Sequence, residues 1–343
     1  MASKLDVTLV TGTSADSVRG LVDALASEQV AVLQTGEPRL VRWGEGCGCC
    51  TVREDVVEQL RGVARDPGVK RALLVLPIED SLEPVVKSFT VADEQGRILG
   101  DQATLQDLVT VVGADSLSGA VVPRALYETL ELSSDVITLA PEGTSPDVVQ
   151  SVSDTVQALN PEARHHVATD AQGVEPGQLG GGSPFDLSAA RRRSGQGELT
   201  TPRVARVEFS EQRPFHPVRL RLLLDQKWPG VVRVQGVFWV ASQPGYAALM
   251  DVAGADKLTR LASHWWAAVP AHQWPSDAGF RQYQATWHSA FGDRRQDLLV
   301  AGEREGVDWL AKALDRCLMT FDELQDPDAV RNLPHPFPWP QDS

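Results

Sequence analysis

The chain has 343 residues, of which 42% are hydrophobic and 23% are charged. This length is enough for two domains with separate cores, and the composition is that of a folded chain. The 46 acidic and 32 basic side chains give a formal net charge of -14, which opposes general binding to a phosphate backbone. The sequence contains no apolar run of 18 residues and no apolar stretch near Met1, so we expect a cytoplasmic protein with no membrane contact.

The first half of the chain alternates short apolar runs with amphipathic stretches. This alternation is typical of a parallel β-sheet that is covered by helices. The helix predicted over residues 145–159 begins with Ser145 as its cap and Pro146 at the first helical position. The runs predicted as strands are residues 6–11, 29–34, 71–76, 108–112, 135–139 and 164–168.

A glycine-rich stretch divides the chain. Of the nine tryptophans only Trp43 precedes it, so the two halves have different cores. In the second half, residues 204–209, 231–240 and 298–301 are predicted strands and residues 307–317 have helical spacing, which indicates an α+β domain. The predicted segments are an α/β domain at 1–171, a linker at 172–202, a smaller α+β domain at 203–330 and a proline-rich tail at 331–343.

Three of the four cysteines, Cys47, Cys49 and Cys50, lie within four residues. The following residues 51–54 have the pattern of a capping box, which predicts that a helix begins directly after the thiols and favours their thiolate form. Three soft donors around one point predict a zinc site with a fourth ligand from elsewhere in the chain or from solvent. The candidates for that ligand are Glu37, Glu45, His165 and His166.

Other interpretations of the cysteine cluster stay open. Cys47 and Cys50 have the spacing of a redox dithiol, and close cysteines are sometimes buried as small hydrophobic residues. The additional Cys49 and the surrounding glycines favour metal binding. The fourth cysteine, Cys317, lies on an apolar helical face and is predicted to be part of the core.

Residues 46–53, Gly-Cys-Gly-Cys-Cys-Thr-Val-Arg, resemble the Gly-Cys-x-Cys-Cys-Thr-x-Arg signature of the CobW-type metal-handling GTPases. Segments 213–217, 233–239 and 292–296 resemble markers of the C-terminal domain of that family. The resemblance implies a P-loop-type α/β domain followed by a smaller α+β CobW C-terminal domain. It also implies GTP hydrolysis that is coupled to the insertion or delivery of zinc, cobalt or a related metal.

The phosphate-binding loop that the resemblance implies is degenerate. The family pattern is G-x-x-x-x-G-K-[ST], in which backbone amides and the lysine hold phosphates and the hydroxyl holds magnesium. Here only Gly12 remains, because Ser17 replaces the second glycine, Val18 the lysine and Arg19 the hydroxyl residue. Asp16 adds a negative charge where a polyphosphate would lie.

Two further nucleotide elements of the family are also altered. Pro77 stands at the acidic position of the second element, and Asp80 stands at the glycine that senses the γ-phosphate. Residues 140–143, Ala-Pro-Glu-Gly, replace the guanine-reading Asn-Lys-x-Asp. Because phosphoryl transfer depends on positioning and charge stabilisation, we predict no catalytic residue, no nucleotide-binding residue and no GTPase activity.

The sequence therefore predicts a zinc-binding, GTPase-deficient CobW-family protein that acts as a zinc-responsive sensor or adaptor with a protein partner. The chain also resembles actinobacterial relatives that lack the GTPase motifs and are associated with zinc limitation and ribosome hibernation. The net basic stretch 191–233 is a candidate surface for a ribosome, RNA or an acidic protein. The alternatives are a GTP-dependent zinc metallochaperone with an atypical nucleotide site and a thiol redox protein.

Overall fold

The computed structural model describes residues 4–42, 51–117, 122–174, 179, 184–194, 197–337 and 339, with residues 191–194 as backbone. The chain divides into two compact units, Met1–Ser194 and Gly195–Ser343. Among the helices described, none is long and apolar enough to cross a membrane.

The first unit is a parallel six-stranded sheet with helices on its faces. Its spatial strand order is β2-β5-β1-β6-β7-β8, and a separate two-stranded sheet pairs β3 with β4. The strands are β1 (Leu5–Gly12), β2 (Val30–Gln34), β3 (Leu40–Arg42), β4 (Thr51–Arg53), β5 (Arg71–Val75), β6 (Ala103–Gly113), β7 (Asp135–Leu139) and β8 (Arg164–Ala168). The helices are α1 (Ala15–Leu25), α2 (Glu54–Val63), α3 (Leu82–Lys87), α4 (Arg124–Leu132), α5 (Pro146–Leu159) and α6 (Leu187–Ser194).

The sheet is buried on two faces, which explains why its strands are short apolar runs in the sequence. In β1, Val7 and Leu9 contact the core that α2 and α3 cover, whereas Val10 contacts the core that α1 covers. All six predicted strands of this half are confirmed. The predicted start of α5 is also confirmed, because the Ser145 side chain accepts a hydrogen bond from the Asp147 N–H and Pro146 is the first helical residue.

Helix α6 lies within residues 172–202, the stretch that the sequence predicts as a linker. Asp186 begins this helix, since its carboxylate accepts a hydrogen bond from the Ala189 N–H at 3.0 Å. Phe185 and Leu187 pack against the same core as α2 and α3. Part of this stretch therefore belongs to the first unit.

The second unit is an antiparallel six-stranded sheet with the order β13-β12-β11-β14-β10-β9. Its strands are β9 (Leu199–Thr200), β10 (Val204–Glu211), β11 (Val231–Phe238), β12 (Tyr246–Ala253), β13 (Asp256–His264) and β14 (Gln296–Glu303). Its helices are α7 (Pro217–Leu224), α8 (Ala278–Gln284), α9 (Arg304–Cys317), α10 (Phe321–Leu324) and α11 (Pro327–Arg331).

Helix α9 supplies much of the core of the second unit. Val307, Leu310, Leu314 and Cys317 lie three or four residues apart on its buried face, and all four join one cluster with the sheet. The predictions of a helix here and of a buried Cys317 are confirmed. The succession of a parallel α/β unit and an antiparallel α+β unit is the predicted fold class.

Phe337 and Trp339 of the proline-rich tail pack against the core of the second unit. Phe337 is only 5% exposed and belongs to the same cluster as α9. Its ring stacks on Trp339 with 4.4 Å between the centroids, and Trp339 also contacts Phe238. Proline has no backbone N–H to donate to a sheet. The contacts that hold Phe337 and Trp339 in place are therefore made by their aromatic side chains.

Gly236 in β11 generates a prediction about the stability of the second unit. Its φ is +146°, and a Cβ at this position would overlap the backbone oxygen of Asp297. We expect Gly236→Ala to lower the free energy of unfolding by about 2 kcal/mol or more, from strain and overlap together. Urea unfolding followed by tryptophan fluorescence measures this, because only Trp43 lies outside the second unit.

The matched control is Gly62→Ala in α2, where an added Cβ would meet no atom within 4 Å. This substitution is compatible with the helix and should leave the fluorescence transition unchanged. Equal transitions for the two variants would contradict the packing of β11 against β14 described above.

Candidate metal centre

The cysteine segment is bounded by two paired strands. Cys47, Cys49 and Cys50 lie in residues 43–50, outside the residues that the structure describes. Immediately before and after that segment, β3 and β4 pair in antiparallel register, with Arg42 opposite Thr51. Because paired Cα atoms in such a ladder are about 5 Å apart, the chain enters and leaves the cysteine segment at neighbouring points.

Helix α2 begins later than the sequence predicts. Its first residue is Glu54 and its N-cap is Arg53, whose side chain makes no capping hydrogen bond. The predicted capping box at residues 51–54 is wrong, because Thr51–Arg53 is strand β4 and its backbone pairs with β3. A three-residue strand thus separates Cys50 from the helix, and the dipole of α2 acts mainly within its own first turn.

Arg53 forms a buried ionic contact at the base of the cysteine segment. Its side chain is 2% exposed and lies between the carboxylates of Asp55 and Asp80. Nε and Nη2 donate to the two carboxylate oxygens of Asp55 at 2.8 and 2.7 Å, and Nη1 donates to Asp80 at 2.7 Å. We refer to Arg53, Asp55 and Asp80 as the arginine clamp.

Within the clamp, Arg53 and Asp55 each stabilise the charged form of the other. The hydrogen bonds with Asp55, opposed by burial, raise the pKa of Arg53. Burial raises the pKa of Asp55, but hydrogen bonds from the Arg53 guanidinium and the Arg39 N–H outweigh it, so the pKa of Asp55 lies below its ordinary value. Arg53 and Asp55 are therefore ionised at neutral pH. Breaking such a pair by removing one partner costs about 3–5 kcal/mol, because it leaves a buried charge uncompensated.

The sequence did not predict the contact between Arg53 and Asp80. Arg53 was recognised within the family signature and the predicted capping box, and Asp80 as a departure from the family motif. Their contact joins residues 27 positions apart, which local patterns do not reveal. One signal was present in the sequence. Arg53 follows Thr51 and Val52, two residues with high strand propensity, and directly precedes the amphipathic helix α2, so burial of the start of that helix also buries Arg53. Such an arginine requires a carboxylate partner.

The two candidate histidine ligands, His165 and His166, do not lie beside strands β3 and β4, which bound the cysteine segment. They lie on β8, the edge of the sheet opposite β2, and five strand spacings of about 4.8 Å separate these edges. His165 Nε2 lies 2.8 Å from Thr138 Oγ1, and His166 Nε2 lies 3.2 Å from Asp135 Oδ1. Burial, together with the charge of His166, lowers the pKa of His165.

The two glutamate candidates differ. Glu37 is exposed in the connection between β2 and β3, close in sequence to the hairpin, whereas Glu45 lies outside the described residues. Over the part of the chain that the structure describes, no group of three or more His, Cys, Asp or Glu side chains is arranged to hold a metal ion.

The region of the degenerate phosphate-binding loop is filled by side chains. Only Thr13 and Ser14 connect β1 to α1, and the Ser14 side chain caps the helix by accepting from the Ser17 N–H. Val18, at the position of the family lysine, is 6% exposed and belongs to the core beneath α1. A Cβ placed on Gly12 would lie 2.8 Å from Val18 Cγ2, so Val18 packs directly against the one glycine that remains.

The other two altered elements also have defined local structures. Asp80, at the position of the γ-phosphate-sensing glycine, is a partner of Arg53 in the clamp. Residues 141–144 form a turn, in which the Thr144 N–H donates to the Pro141 carbonyl at 3.0 Å and Gly143 has a φ of +89°. This turn leads into the N-cap of α5.

Several arginines of the basic stretch 191–233 form ion pairs within the second unit. Arg219 forms a bidentate contact with Glu323 at 3.1 and 2.8 Å, and it lowers the pKa of that carboxyl to about 2. Arg206 is 1% exposed and is therefore not a surface charge. The further ion pairs of the stretch are Arg213 with Glu211, Arg221 with Asp225 and Arg233 with Asp251.

Two family models match the chain. Residues 21–166 match the CobW/HypB/UreG nucleotide-binding domain, and residues 204–318 match the cobalamin synthesis protein cobW C-terminal domain. Together they span more than half of the chain, which therefore belongs to the CobW family. The first match begins at residue 21, after the degenerate loop at 12–19.

Two relatives and one solved structure align with most of the chain. The zinc-regulated GTPase metalloprotein activator 1 of Dictyostelium discoideum is 24% identical over 319 residues, which cover 83% of this chain and 67% of that protein. A protein of Mycobacterium tuberculosis named zinc chaperone is 26% identical over 335 residues, which cover 87% and 79%. The Zn(II)-bound YjiA GTPase from E. coli aligns over 92% of this chain and 100% of its own, with a TM-score of 0.38 and 11% identity.

The burial of Cys317 generates a prediction about thiol reactivity. Burial raises the pKa of this thiol to about 11, and the residue is 5% exposed. Because the thiolate is the reactive form, we expect Cys317 to resist alkylation at pH 7.5 while Cys47, Cys49 and Cys50 are modified in the metal-free protein. Mass spectrometry after iodoacetamide treatment should show three labels on the native chain and four after denaturation.

The variant Cys317→Ser is the control, and it should show three labels under both conditions. A fourth label that forms on the native wild-type protein as fast as the first three would contradict the placement of Cys317 in the core.

Proposed function

We propose that this chain is a zinc-responsive CobW-family protein that binds zinc through Cys47, Cys49 and Cys50 and does not hydrolyse GTP. The observation that carries the proposal is the clamp. Asp80, at the position where the family senses the γ-phosphate, holds Arg53 at the base of the cysteine segment instead. The end of strand β4, which directly follows the cysteine segment, is thus held by a side-chain contact at a position that the family uses for the nucleotide.

The donor set fits zinc. Three thiols occur within four residues of the connection between the paired strands β3 and β4, and thiolates are ligands that zinc prefers. Cys47, Cys49 and Cys50 would hold the zinc ion through their thiolates. Relatives named as a zinc-regulated activator and a zinc chaperone support zinc as the metal.

The absence of GTP hydrolysis is supported by the geometry at Gly12. Phosphoryl transfer requires a cradle of backbone donors, a lysine and a magnesium ligand. At the lysine position the chain has the buried Val18, which packs against Gly12. The position of the magnesium-binding hydroxyl is held by the exposed Arg19.

A protein partner is part of the proposal, because one relative is named as a metalloprotein activator. We include an adaptor role on the ribosome under zinc limitation, which the family resemblance suggests. Since Arg213, Arg219, Arg221 and Arg233 form ion pairs, binding there would depend mainly on the other basic side chains of the stretch 191–233. Ribosome co-sedimentation that is lost at high salt would support this role, and its absence at low salt would overturn it.

The zinc site has a direct test. We expect the purified wild-type protein to bind one zinc per chain, and the triple variant Cys47→Ser, Cys49→Ser, Cys50→Ser to bind none, because serine does not supply thiolate donors. Metal analysis after dialysis against zinc measures the stoichiometry. Cys317→Ser, which removes only the buried thiol, should retain full occupancy. Full occupancy in the triple variant would refute the assignment.

The nucleotide prediction distinguishes the proposal from a GTP-driven metallochaperone, which the names of the relatives favour. We expect calorimetry with GTP and Mg²⁺ to show no binding and no turnover above a buffer blank. Arg19→Ala is the informative variant, since Arg19 is exposed and the change should not disturb the fold. Turnover in the wild type that Arg19→Ala abolishes would establish the metallochaperone instead.

A further inference from the structure

We propose that two copies of this chain associate through β13, the strand at one edge of the second sheet, and that a two-fold axis at Leu258 sets the register between them. The inference uses only the second unit and does not rest on the proposed zinc site.

Strand β13 is a long edge strand. It spans Asp256–His264, and no strand in the described part of the chain pairs with its outer side. Such an edge presents backbone N–H and C=O groups with which another strand can pair. The opposite edge of the sheet is β9, whose two residues leave little to pair with. Strand β13 also contains no proline that would interrupt pairing.

The lysine of this strand does not protect its edge. Lysine side chains on edge strands commonly oppose pairing with another chain, because an incoming strand would cover their charge. The Lys257 ammonium group instead lies 4.2 Å from the centroid of the Trp228 ring and donates to the Leu224 carbonyl at 2.9 Å. Trp228 is part of the core of the unit, so these contacts hold the charge against that core.

The pairing with β12 determines which backbone groups of β13 are directed outward. Ala253 and Asp256 pair across a two-residue connection, and the residues that flank such a turn exchange hydrogen bonds with each other. Because this pattern alternates along an antiparallel strand, Lys257 and Thr259 direct their backbone groups outward. In a two-fold pair centred on Leu258, Lys257 of each copy lies opposite Thr259 of the other. The outward groups of the two strands can therefore bond to one another.

The exposed side chains are self-complementary in this register. Asp256, Leu258 and Arg260 alternate with half-buried residues and share one face of the strand, where Leu258 is 43% exposed. About the axis, Asp256 of each copy faces Arg260 of the other, and the two Leu258 side chains meet between these pairs. Residues opposed in this way have Cα atoms about 4.5 Å apart. The contact thus covers an exposed leucine and forms two ion pairs.

The neighbouring registers lack this complementarity. An axis at Lys257 places Asp256 opposite Leu258, and an axis at Thr259 places Arg260 opposite Leu258. An axis at Arg260 places two guanidinium groups opposite each other, and directly opposed like charges destabilise a strand pair. Charge therefore selects the axis at Leu258 and makes a second copy of β13 the partner that fits. A pairing of this length is a small interface, so we expect association to depend on protein concentration.

The test is sedimentation equilibrium of the full chain with a reductant and a metal chelator, which exclude association through thiols or metal. We expect the wild type to shift from the mass of one chain, 37.2 kDa, to twice that mass as its concentration rises. Asp256→Arg and Arg260→Asp should each abolish the shift, because each places like charges opposite one another. An equimolar mixture of the two variants should recover it, since opposite charges then face each other on both sides of the axis.

The matched control is Asp23→Arg, which reverses an exposed charge on α1 of the first unit and should associate as the wild type does. Circular dichroism verifies that each variant is folded. If Asp256→Arg disturbs the hairpin, Leu258→Asp places two carboxylates on the axis and should also abolish the shift. A wild type that stays monomeric at all concentrations would overturn the proposal. Association that the substitutions in β13 do not weaken, or a mixture of folded variants that stays monomeric, would overturn it too.

Discussion

A guanidinium group that is 2% exposed cannot stay in an apolar core without anionic partners. In this chain that constraint falls on Arg53, and it determines how several elements meet. Asp55 in the first turn of α2 and Asp80 before α3 must both approach β4, which brings the N-terminal ends of two helices to the strand that follows the cysteine segment. The strand has only three residues, so the clamp supplies much of what fixes its position.

The carboxyl edge of the parallel sheet is where open α/β folds bind ligands. In this chain a core side chain and a tight turn occupy two of the connections at that edge. Val18 extends the core beneath α1 over Gly12, and residues 141–144 form a turn that leads into α5. The fold is retained because the strands depend on their apolar faces and not on the loops between them. The sheet of this family fold is therefore compatible with loop residues that differ from the family's nucleotide motifs.

Local patterns predicted the elements whose burial is periodic. The strands of the first unit, the start of α5 at Ser145 and the helix that buries Cys317 all follow from apolar spacing and capping chemistry. Where local signals were weak or conflicting, the predictions failed. Residues 51–54 have a capping-box pattern, but pairing with β3 makes the first three of them a strand. Strand β12 is rich in alanine and β13 is largely exposed, so only pairing with β11 and with each other defines them.

The sequence by itself determined the class of fold, the cluster of Cys47, Cys49 and Cys50, and the departures from the family's three nucleotide motifs, because these depend on composition, periodicity and local motifs. Only the tertiary structure decided what the replacements do. Val18 packs against Gly12, and Asp80 pairs with Arg53 across 27 positions of chain. Contacts of this kind depend on how strands and helices are brought together, and no local pattern contains that information.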